Sequence, residues 1–98
     1  MKTLPRTWIW LMKKELQELK AASHQLKPVV IIGSQGLSQA IQDEINLALD
    51  AHQLIKIRLN ASSSDDRKSM LLEIVENQDA QLINQIGHVA VLYRKKDA

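Results

Sequence analysis

Hydrophobic residues recur with the period of an α-helix in three stretches of the chain. The first covers residues 9–24, and the second follows Ser38, a residue type that commonly caps a helix. The third ends near Gln78, and either Asp65 or Asp66 is placed to cap its start. Each stretch concentrates its apolar side chains near one face, so the pattern predicts three amphipathic helices.

Strand patterns separate and follow these helices. "KPVVIIG" places four β-branched residues after Pro28, which stops the preceding helix. Because this run is apolar without alternation, it predicts a strand that is covered on both faces or central in its sheet. "LIKIRLN" (residues 54–60) alternates, which predicts a half-exposed strand. Residues 80–94 predict two strands joined by a turn at Gly87 and His88.

The predicted element order is therefore α-β-α-β-α-β-β. Strands that alternate with helices pair in parallel through right-handed crossovers, and the final tight turn makes the last strand antiparallel. We expect an α/β protein of the two-layer α+β type, with a mixed four-stranded sheet and the helices on one face.

This topology sends several polar residues to the end of the sheet where the first strand finishes. Parallel strands end there, the third helix begins there, and the first helix runs antiparallel to the strand after it. The residues expected at this end are Lys13, Lys14, Arg58, Asn60, Arg67, Lys68 and His88. Lys27 and Arg94 are expected at the opposite end.

Composition narrows the class of protein. The 98 residues suffice for one domain, and 45% hydrophobic residues allow a core built from aliphatic side chains. The chain has no cysteine, which excludes disulfides, thiolate catalysis and Cys-ligated zinc. No apolar run approaches the roughly 20 residues of a membrane span. "WIWLM" is too short for the apolar part of a signal peptide, so we expect a cytoplasmic protein without a membrane partner.

Charge is distributed unevenly along the chain, although the net charge is only +2. Residues 1–36 carry six Lys or Arg against two acidic residues, whereas residues 37–93 carry four against eight. Such a split predicts a basic side, suited to nucleic acid, and an acidic side. Ordinary solvated faces would give the same counts, so the counts alone leave both interpretations open.

Gly33 and Gly36 are two of only three glycines, and they lie between a predicted strand and a predicted helix. Glycine lets another backbone approach closely, and the helix start that follows offers N–H groups and a positive dipole end to an anion. G-x-x-G loops in this setting clamp the nucleic-acid backbone in KH-type modules. The loop lacks the third glycine of a dinucleotide fingerprint and the lysine of a P-loop. A plain tight turn is the alternative, and the basic residues expected at this end favour the phosphate-contacting loop.

Three segments together resemble the CRM domain family, an RNA-binding module named for chloroplast RNA splicing and ribosome maturation that includes the YhbY-type proteins of bacteria. They are "LKPVVIIGSQGL", "HQLIKIRL" and "IGHVAVLYR", and the resemblance covers about residues 19–95. It implies a fold similar to the C-terminal domain of translation initiation factor 3. It also implies binding to ribosomal RNA in the precursor of the large (50S) subunit, with Gly33, Ser34, Gln35 and Gly36 as the RNA-contacting loop.

The chain departs from the family pattern in three places. Its first helix mixes Glu15 and Glu18 among the lysines, His88 stands where a lysine is common, and the tail after "LYR" is short. These differences imply weaker or more pH-sensitive attachment to RNA. "MKTLPRTWIWL" has no counterpart in the pattern, so we interpret residues 1–11 as an N-terminal extension before a natural start at Met12, and residues 12–98 as one RNA-binding domain.

We expect the protein to bind RNA as a monomer, without catalysis, cofactor or small-molecule substrate. The predicted RNA-binding residues are Gly33, Ser34, Gln35, Gly36, Ser38, Lys13, Lys14, Arg58, Arg67, Lys68 and His88. A wider basic set that could add attraction is Lys20, Lys27, Arg94, Lys95 and Lys96.

Neither catalysis nor metal binding is indicated by the remaining polar residues. The carboxylates at 43–44 and 65–66 are adjacent in sequence, so their side chains point apart and do not form an acid–base pair. The three histidines lie in separate segments without a carboxylate at ligand spacing.

A protein–protein adaptor is the alternative function. Its second and third helices would dock a basic partner, such as a ribosomal protein, through acidic side chains. Those residues are Asp43, Glu44, Asp50, Glu73 and Glu76. Both functions could occupy opposite faces. RNA binding is the one whose affinity is expected to fall as salt rises, with a log–log slope that grows with the number of phosphate contacts.

Overall fold

The computed structural model describes residues 6–33, 35–61 and 63–95, with side chains from Lys13 onward. Its elements follow the predicted order. They are α1 Arg6–Ser23, β1 Pro28–Ile32, α2 Gln39–His52, β2 Leu54–Leu59, α3 Ser64–Gln78, β3 Gln81–Ile86 and β4 Val89–Tyr93. None of the described helices is long and apolar enough to cross a membrane.

The four strands form one mixed sheet in the order β1-β2-β4-β3. β1 pairs in parallel with β2, and β4 pairs antiparallel to both β2 and β3. β1, β2 and β3 therefore run in one direction and β4 runs in the other, which confirms the predicted mixed sheet with an antiparallel last strand.

The main core lies between one face of the sheet and the two helices α2 and α3. Ile45 and Leu49 of α2 are buried there, together with Leu71 and Ile74 of α3. They pack with the inward side chains of the strands, which are Val30, Ile32, Ile55, Ile57, Leu59, Ala90 and Leu92. Burial of an aliphatic side chain of this size stabilises the fold by about 1.5–3 kcal/mol, so this cluster fixes the strands whose ends carry the predicted polar residues.

α1 is an exception to the expectation that the helices share one face. Val91 alternates with Ala90 and Leu92, so its side chain points away from α2 and α3, yet it is only 4% exposed. α1 contacts β2 and β3, which are the two neighbours of β4. It therefore covers the second face of the sheet over β4, because apolar residues on both faces of that strand need cover on both sides.

β1 is an edge strand, and the prediction that it is central or covered on both faces is wrong. Its outward residues Val29 and Ile31 are 51% and 57% exposed, while Val30 and Ile32 face the core. β-branched residues favour strands whether or not both faces are buried. The unbroken apolar run therefore predicted the strand correctly, but it did not predict that the strand lies at the edge of the sheet. The doubly covered strand is β4.

The N-terminus of α3 differs from prediction in its capping residue. Ser63 has an extended backbone, and its Oγ accepts hydrogen bonds from the N–H groups of Asp65 and Asp66 at 3.2 and 3.4 Å. The two aspartates therefore lie in the first turn instead of at the cap, where their charges favour the positive end of the helix dipole. Ser38 caps α2 as predicted, since its Oγ accepts from the Ile41 N–H at 3.2 Å.

Candidate nucleic-acid interface

The loop between β1 and α2 is a compact turn closed by its own backbone. The Gly36 N–H donates to the Gly33 carbonyl oxygen over 3.1 Å, and the Ser38 N–H donates to the Gly36 carbonyl oxygen over 3.1 Å. Gly33 and Gln35 are exposed, whereas Ser34 lies outside the described residues. The turn therefore presents backbone to solvent at the end of β1.

The two glycines of this turn differ in whether the backbone conformation requires glycine. Gly36 has a φ of +72°, which side chains rarely adopt, and a Cβ there would lie 3.8 Å from Met70 Cε. Gly33 has no such φ, and a Cβ on it would meet no atom of the described chain within 4 Å. The turn needs glycine at 36, but its conformation does not need it at 33. A bare backbone at 33 leaves open space into which the backbone of a ligand can move.

The start of α2 adds anion-binding capacity beside this turn. The first N–H groups of a helix have no intrahelical acceptor, and they carry the positive end of the helix dipole. Ser38 Oγ satisfies the N–H of Ile41, and the N–H groups of Gln39 and Ala40 come before it in the first turn. Phosphate oxygens are natural acceptors for such groups.

Backbone hydrogen bonds bring three strand ends together next to the loop. The Asn60 N–H donates to the Ile32 carbonyl oxygen over 2.9 Å, which joins the end of β2 to the end of β1. The Leu59 N–H donates to the His88 carbonyl oxygen over 2.7 Å, which joins β2 to the β3–β4 turn. The structure thus places the loop, Arg58 and His88 at one end of the sheet.

Arg58 is exposed, and it is oriented by Asn60, which was expected at this end of the sheet but not among the RNA-binding residues. Its Nε donates to Asn60 Oδ1 over 3.1 Å, while the Asn60 backbone is tied to β1. Asn60 therefore aims the guanidinium of Arg58 along the end of the sheet. The alternation of "LIKIRLN" puts residues 56, 58 and 60 on one side of the chain, which agrees with the contact between Arg58 and Asn60.

His88 is fixed in one tautomer by the end of β2. Its Nδ1 lies 2.8 Å from the Leu59 carbonyl oxygen, so Nδ1 carries the hydrogen and donates it. Nε2 is then the ring nitrogen that remains for a ligand. The imidazole is exposed, which suits a polar contact at the rim of the site.

The two predicted basic residues at the start of α3 have different surroundings. Arg67 Nη1 donates to the Ala61 carbonyl oxygen over 2.9 Å, which ties this side chain to the β2–α3 loop. Lys68 is exposed, but Asp65 and Asp66 share the same turn and offset its charge. Arg67 therefore holds the loop in place, and Lys68 is the cation of this helix that faces solvent.

Four of the other predicted lysines lie on or beside α1. Lys13 and Lys14 are exposed on that helix. Lys20 is in its last turn and Lys27 precedes β1, so both lie near the start of β1, at the opposite end of the strand from the loop. The structure separates Lys20 and Lys27 from the loop residues, and the attraction that they exert there is long-range at most.

Arg94 has a structural role that the sequence did not reveal. Its Nη2 forms a 2.8 Å ion pair with Asp50 and its Nη1 donates to the Gln78 carbonyl oxygen over 3.1 Å. These contacts tie the end of β4 to α2 and α3, far along the sheet from the loop. Lys95 beside it is exposed, and Lys96 lies outside the described residues.

The groups that converge at the loop are suited to phosphate. Backbone N–H groups, a helix N-terminus and an oriented guanidinium are the donors with which proteins hold a nucleic-acid backbone. Among residues 6–33, 35–61 and 63–95, no cluster of three or more His, Asp or Glu side chains could hold a metal ion.

Comparison with known proteins places the chain among named relatives. The family model of the CRS1/YhbY (CRM) domain matches residues 11–94. The chain is 35% identical over 85 residues to the probable RNA-binding protein PA4753 of Pseudomonas aeruginosa, a match that covers 87% of this chain and 82% of that protein. It is 36% identical over 87 residues to a Haemophilus influenzae protein named RNA-binding protein, with 89% and 88% covered.

A solved structure shares the fold. The solution structure of the hypothetical protein SAV1595 from Staphylococcus aureus superposes with a TM-score of 0.76 at 26% identity, and the match covers 87% of this chain and 88% of that one. The three helices and the mixed four-stranded sheet are therefore an arrangement already seen in a solved protein.

Proposed function

The chain belongs to the CRS1/YhbY (CRM) domain family, and on this basis we propose that it is a non-catalytic RNA-binding protein. Two relatives in which the match covers more than four-fifths of the length carry RNA binding in their names. The proposed RNA-binding surface is the end of the sheet formed by the Gly33–Gly36 turn, the start of α2, Arg58 and His88.

In the proposed complex, an RNA phosphate lies against the turn. Gly33 lets the sugar–phosphate backbone approach closely, and the N–H groups in the first turn of α2 donate to its oxygens. Arg58, aimed by Asn60, contacts a neighbouring phosphate, and Lys68, Lys13 and Lys14 supply longer-range attraction. These contacts position the RNA backbone without reading its sequence.

The RNA we propose is ribosomal RNA in the precursor of the large subunit. The resemblance of the three segments around the loop, β2 and β4 to bacterial YhbY-type proteins supports this target. We further propose that the protein acts as a cytoplasmic monomer and that residues 12–98 are the binding unit, although α1 itself begins at Arg6.

The observation that carries the proposal is the open space at Gly33 in a turn whose own conformation does not need glycine there. A Gly33→Asp variant should keep its fold, because a Cβ at this position meets no atom of the described chain within 4 Å, and its carboxylate should repel phosphate. We expect at least a tenfold loss of affinity for a large-subunit ribosomal RNA fragment, since about 1.4 kcal/mol corresponds to a factor of ten.

The matched control is Gln81→Glu, which adds the same charge at an exposed position at the start of β3, far from the loop. Fluorescence anisotropy with the ribosomal fragment and with a transfer RNA separates RNA binding from a preference for ribosomal RNA. Equal affinities of the two folded variants would show that the loop is not part of the RNA interface. Equal affinities of the wild-type protein for the two RNAs would contradict a preference for ribosomal RNA.

A further inference from the structure

Four side chains form a row across the whole sheet, on the face that α1 partly covers and at the end that carries the Gly33–Gly36 turn. Ile31 of β1 pairs with Arg58 of β2. Arg58 pairs in turn with Val89 of β4, and Val89 pairs with Ile86 of β3. Residues directly opposite each other in neighbouring strands point to the same face. Because strands lie about 4.8 Å apart, the four side chains form one continuous row about 14 Å long.

The two ends of this row are exposed apolar side chains. Ile31 is 57% exposed and Ile86 is 72% exposed, although isoleucine is among the residues most often buried. α1 covers the neighbouring part of β4, where Val91 is buried, and it leaves both ends of the row open to solvent. Exposed apolar surface at the rim of a polar site is typical of a place where a ligand binds. The row therefore suits a ligand that has apolar surface of its own.

The charge on this face favours an anionic ligand. The four strands contain two charged residues, Lys56 and Arg58, and their pairing with Val91 and Val89 places both on this face. On the same side, residues 13–23 of α1 add three lysines and two glutamates. The opposite layer is acidic, because α2 carries three Asp or Glu without Lys or Arg, and α3 carries four against two. A ligand that combines negative charge with apolar surface fits here, and the phosphates and bases of RNA provide both.

We propose that this row contacts the bases of unpaired nucleotides, so that the protein selects single-stranded RNA over duplex RNA. The inference rests on the proposed RNA site and extends it, because a phosphate held at Gly33 leaves its nucleotide near Ile31, two positions earlier. Arg58, in the middle of the row, holds the RNA backbone beside the apolar side chains. Base faces are free for such contacts only in unpaired nucleotides, since in a duplex they stack on one another. Every base has such a face, so the contact tolerates different sequences.

The test measures the affinity of the protein for one short RNA strand, alone and annealed to its complement. Wild type should bind the single strand at least about tenfold more tightly than the duplex. Ile86→Ala shortens an apolar side chain of the row, and Leu72→Ala is the matched control on α3, because both residues are 72% exposed. Both variants should stay folded, which circular dichroism checks. Ile86→Ala should weaken single-strand binding about fivefold through lost apolar contact, and Leu72→Ala less than about twofold.

Two further measurements separate a failure of this inference from a failure of the proposed function. Ile86→Ala should leave the salt dependence of binding unchanged, because it removes no phosphate contact. The methyl signals of Ile31 and Ile86 should move upfield in the NMR spectrum when the single strand binds, since base rings lie against them, while those of Leu72 stay in place. Equal wild-type affinities for the two RNAs, or equal affinities of the two variants, would overturn the base contact and leave RNA binding intact. Absence of binding to either RNA would overturn both proposals.

Discussion

Gly33 and Gly36 are the same residue type three positions apart in one turn, and the fold uses only one of them for its conformation. Gly36 supplies a left-handed φ that closes the turn. Gly33 lies in ordinary backbone with open space in front of it. The sequence shows the pair, but only the geometry separates a glycine that shapes the chain from one that leaves room for a ligand.

Stability measurements should separate the two roles. Gly36→Ala is expected to lower the free energy of unfolding by about 1–2 kcal/mol, because a Cβ is disfavoured in the left-handed region. Gly33→Ala should leave it unchanged or raise it by less than about 1 kcal/mol, because alanine restricts the unfolded chain. Urea unfolding followed by circular dichroism measures both. Equal destabilisation would contradict the assignment of roles.

Arg94 is the residue whose structural role the sequence concealed most completely. Its side-chain partners Asp50 and Gln78 lie 44 and 16 positions away. Arg94→Ala should lower the free energy of unfolding by about 2 kcal/mol, because it removes the donor to the carbonyl oxygen and to the side-chain oxygen of the buried Gln78. Lys95→Ala, a change at the neighbouring exposed residue, should stay within about 0.5 kcal/mol. Thermal unfolding that gave similar losses for both would show that the Arg94 contacts contribute little.

At the scale of elements, α3 shows how a cap is chosen among four consecutive polar residues. Ser63, Ser64, Asp65 and Asp66 all have side chains able to cap a helix. The chain enters α3 from an extended Ser63, so the hydroxyl of that residue meets the first N–H groups. The two aspartates then act through the dipole in the first turn.

A pair of alanine substitutions tests this assignment. Ser63→Ala should lower the free energy of unfolding by about 1 kcal/mol through loss of the cap, whereas Ser64→Ala, one position inside the helix, should be neutral or slightly stabilising. Chemical denaturation reports both values. The reverse order of effects would move the start of α3 by one residue.

Element types were predictable from the sequence because periodicity and turn residues are local signals. The three helices, the four strands and the direction of the last strand all followed from such signals. The position of β4 between β2 and β3 did not, since it depends on which strands pair across the whole chain. For the same reason the apolar run of β1 could not reveal an edge strand, and the burial of Val91 was needed to place α1 on the second face.

The candidate site was predictable in part for the same reason. The loop, Arg58 and His88 come together because parallel strands end on one side. Asn60 was expected at the same end, but its hydrogen bond to Arg58 and the loop-holding contact of Arg67 were missed, since each depends on where a single side chain points. Hydrogen bonds of that kind are set by side-chain rotamers, which a sequence pattern does not specify.

For the whole molecule, two arginines at opposite ends of the sheet have different roles. The end at Gly33–Gly36 presents backbone donors and the exposed Arg58, which suits phosphate. Arg94 at the opposite end is tied to Asp50 of α2 by an ion pair. A single net charge of +2 does not indicate this difference.

The central claim is that the chain binds RNA through several phosphates at the end of the sheet. Its most direct test is the affinity of the intact protein for a large-subunit ribosomal RNA fragment over a range of salt concentrations. Three contacts to a single-stranded segment predict a log–log slope of about −2, and Arg58→Gln should reduce its magnitude by about 0.7. Affinity that does not change with salt, or no binding at low salt, would contradict the account.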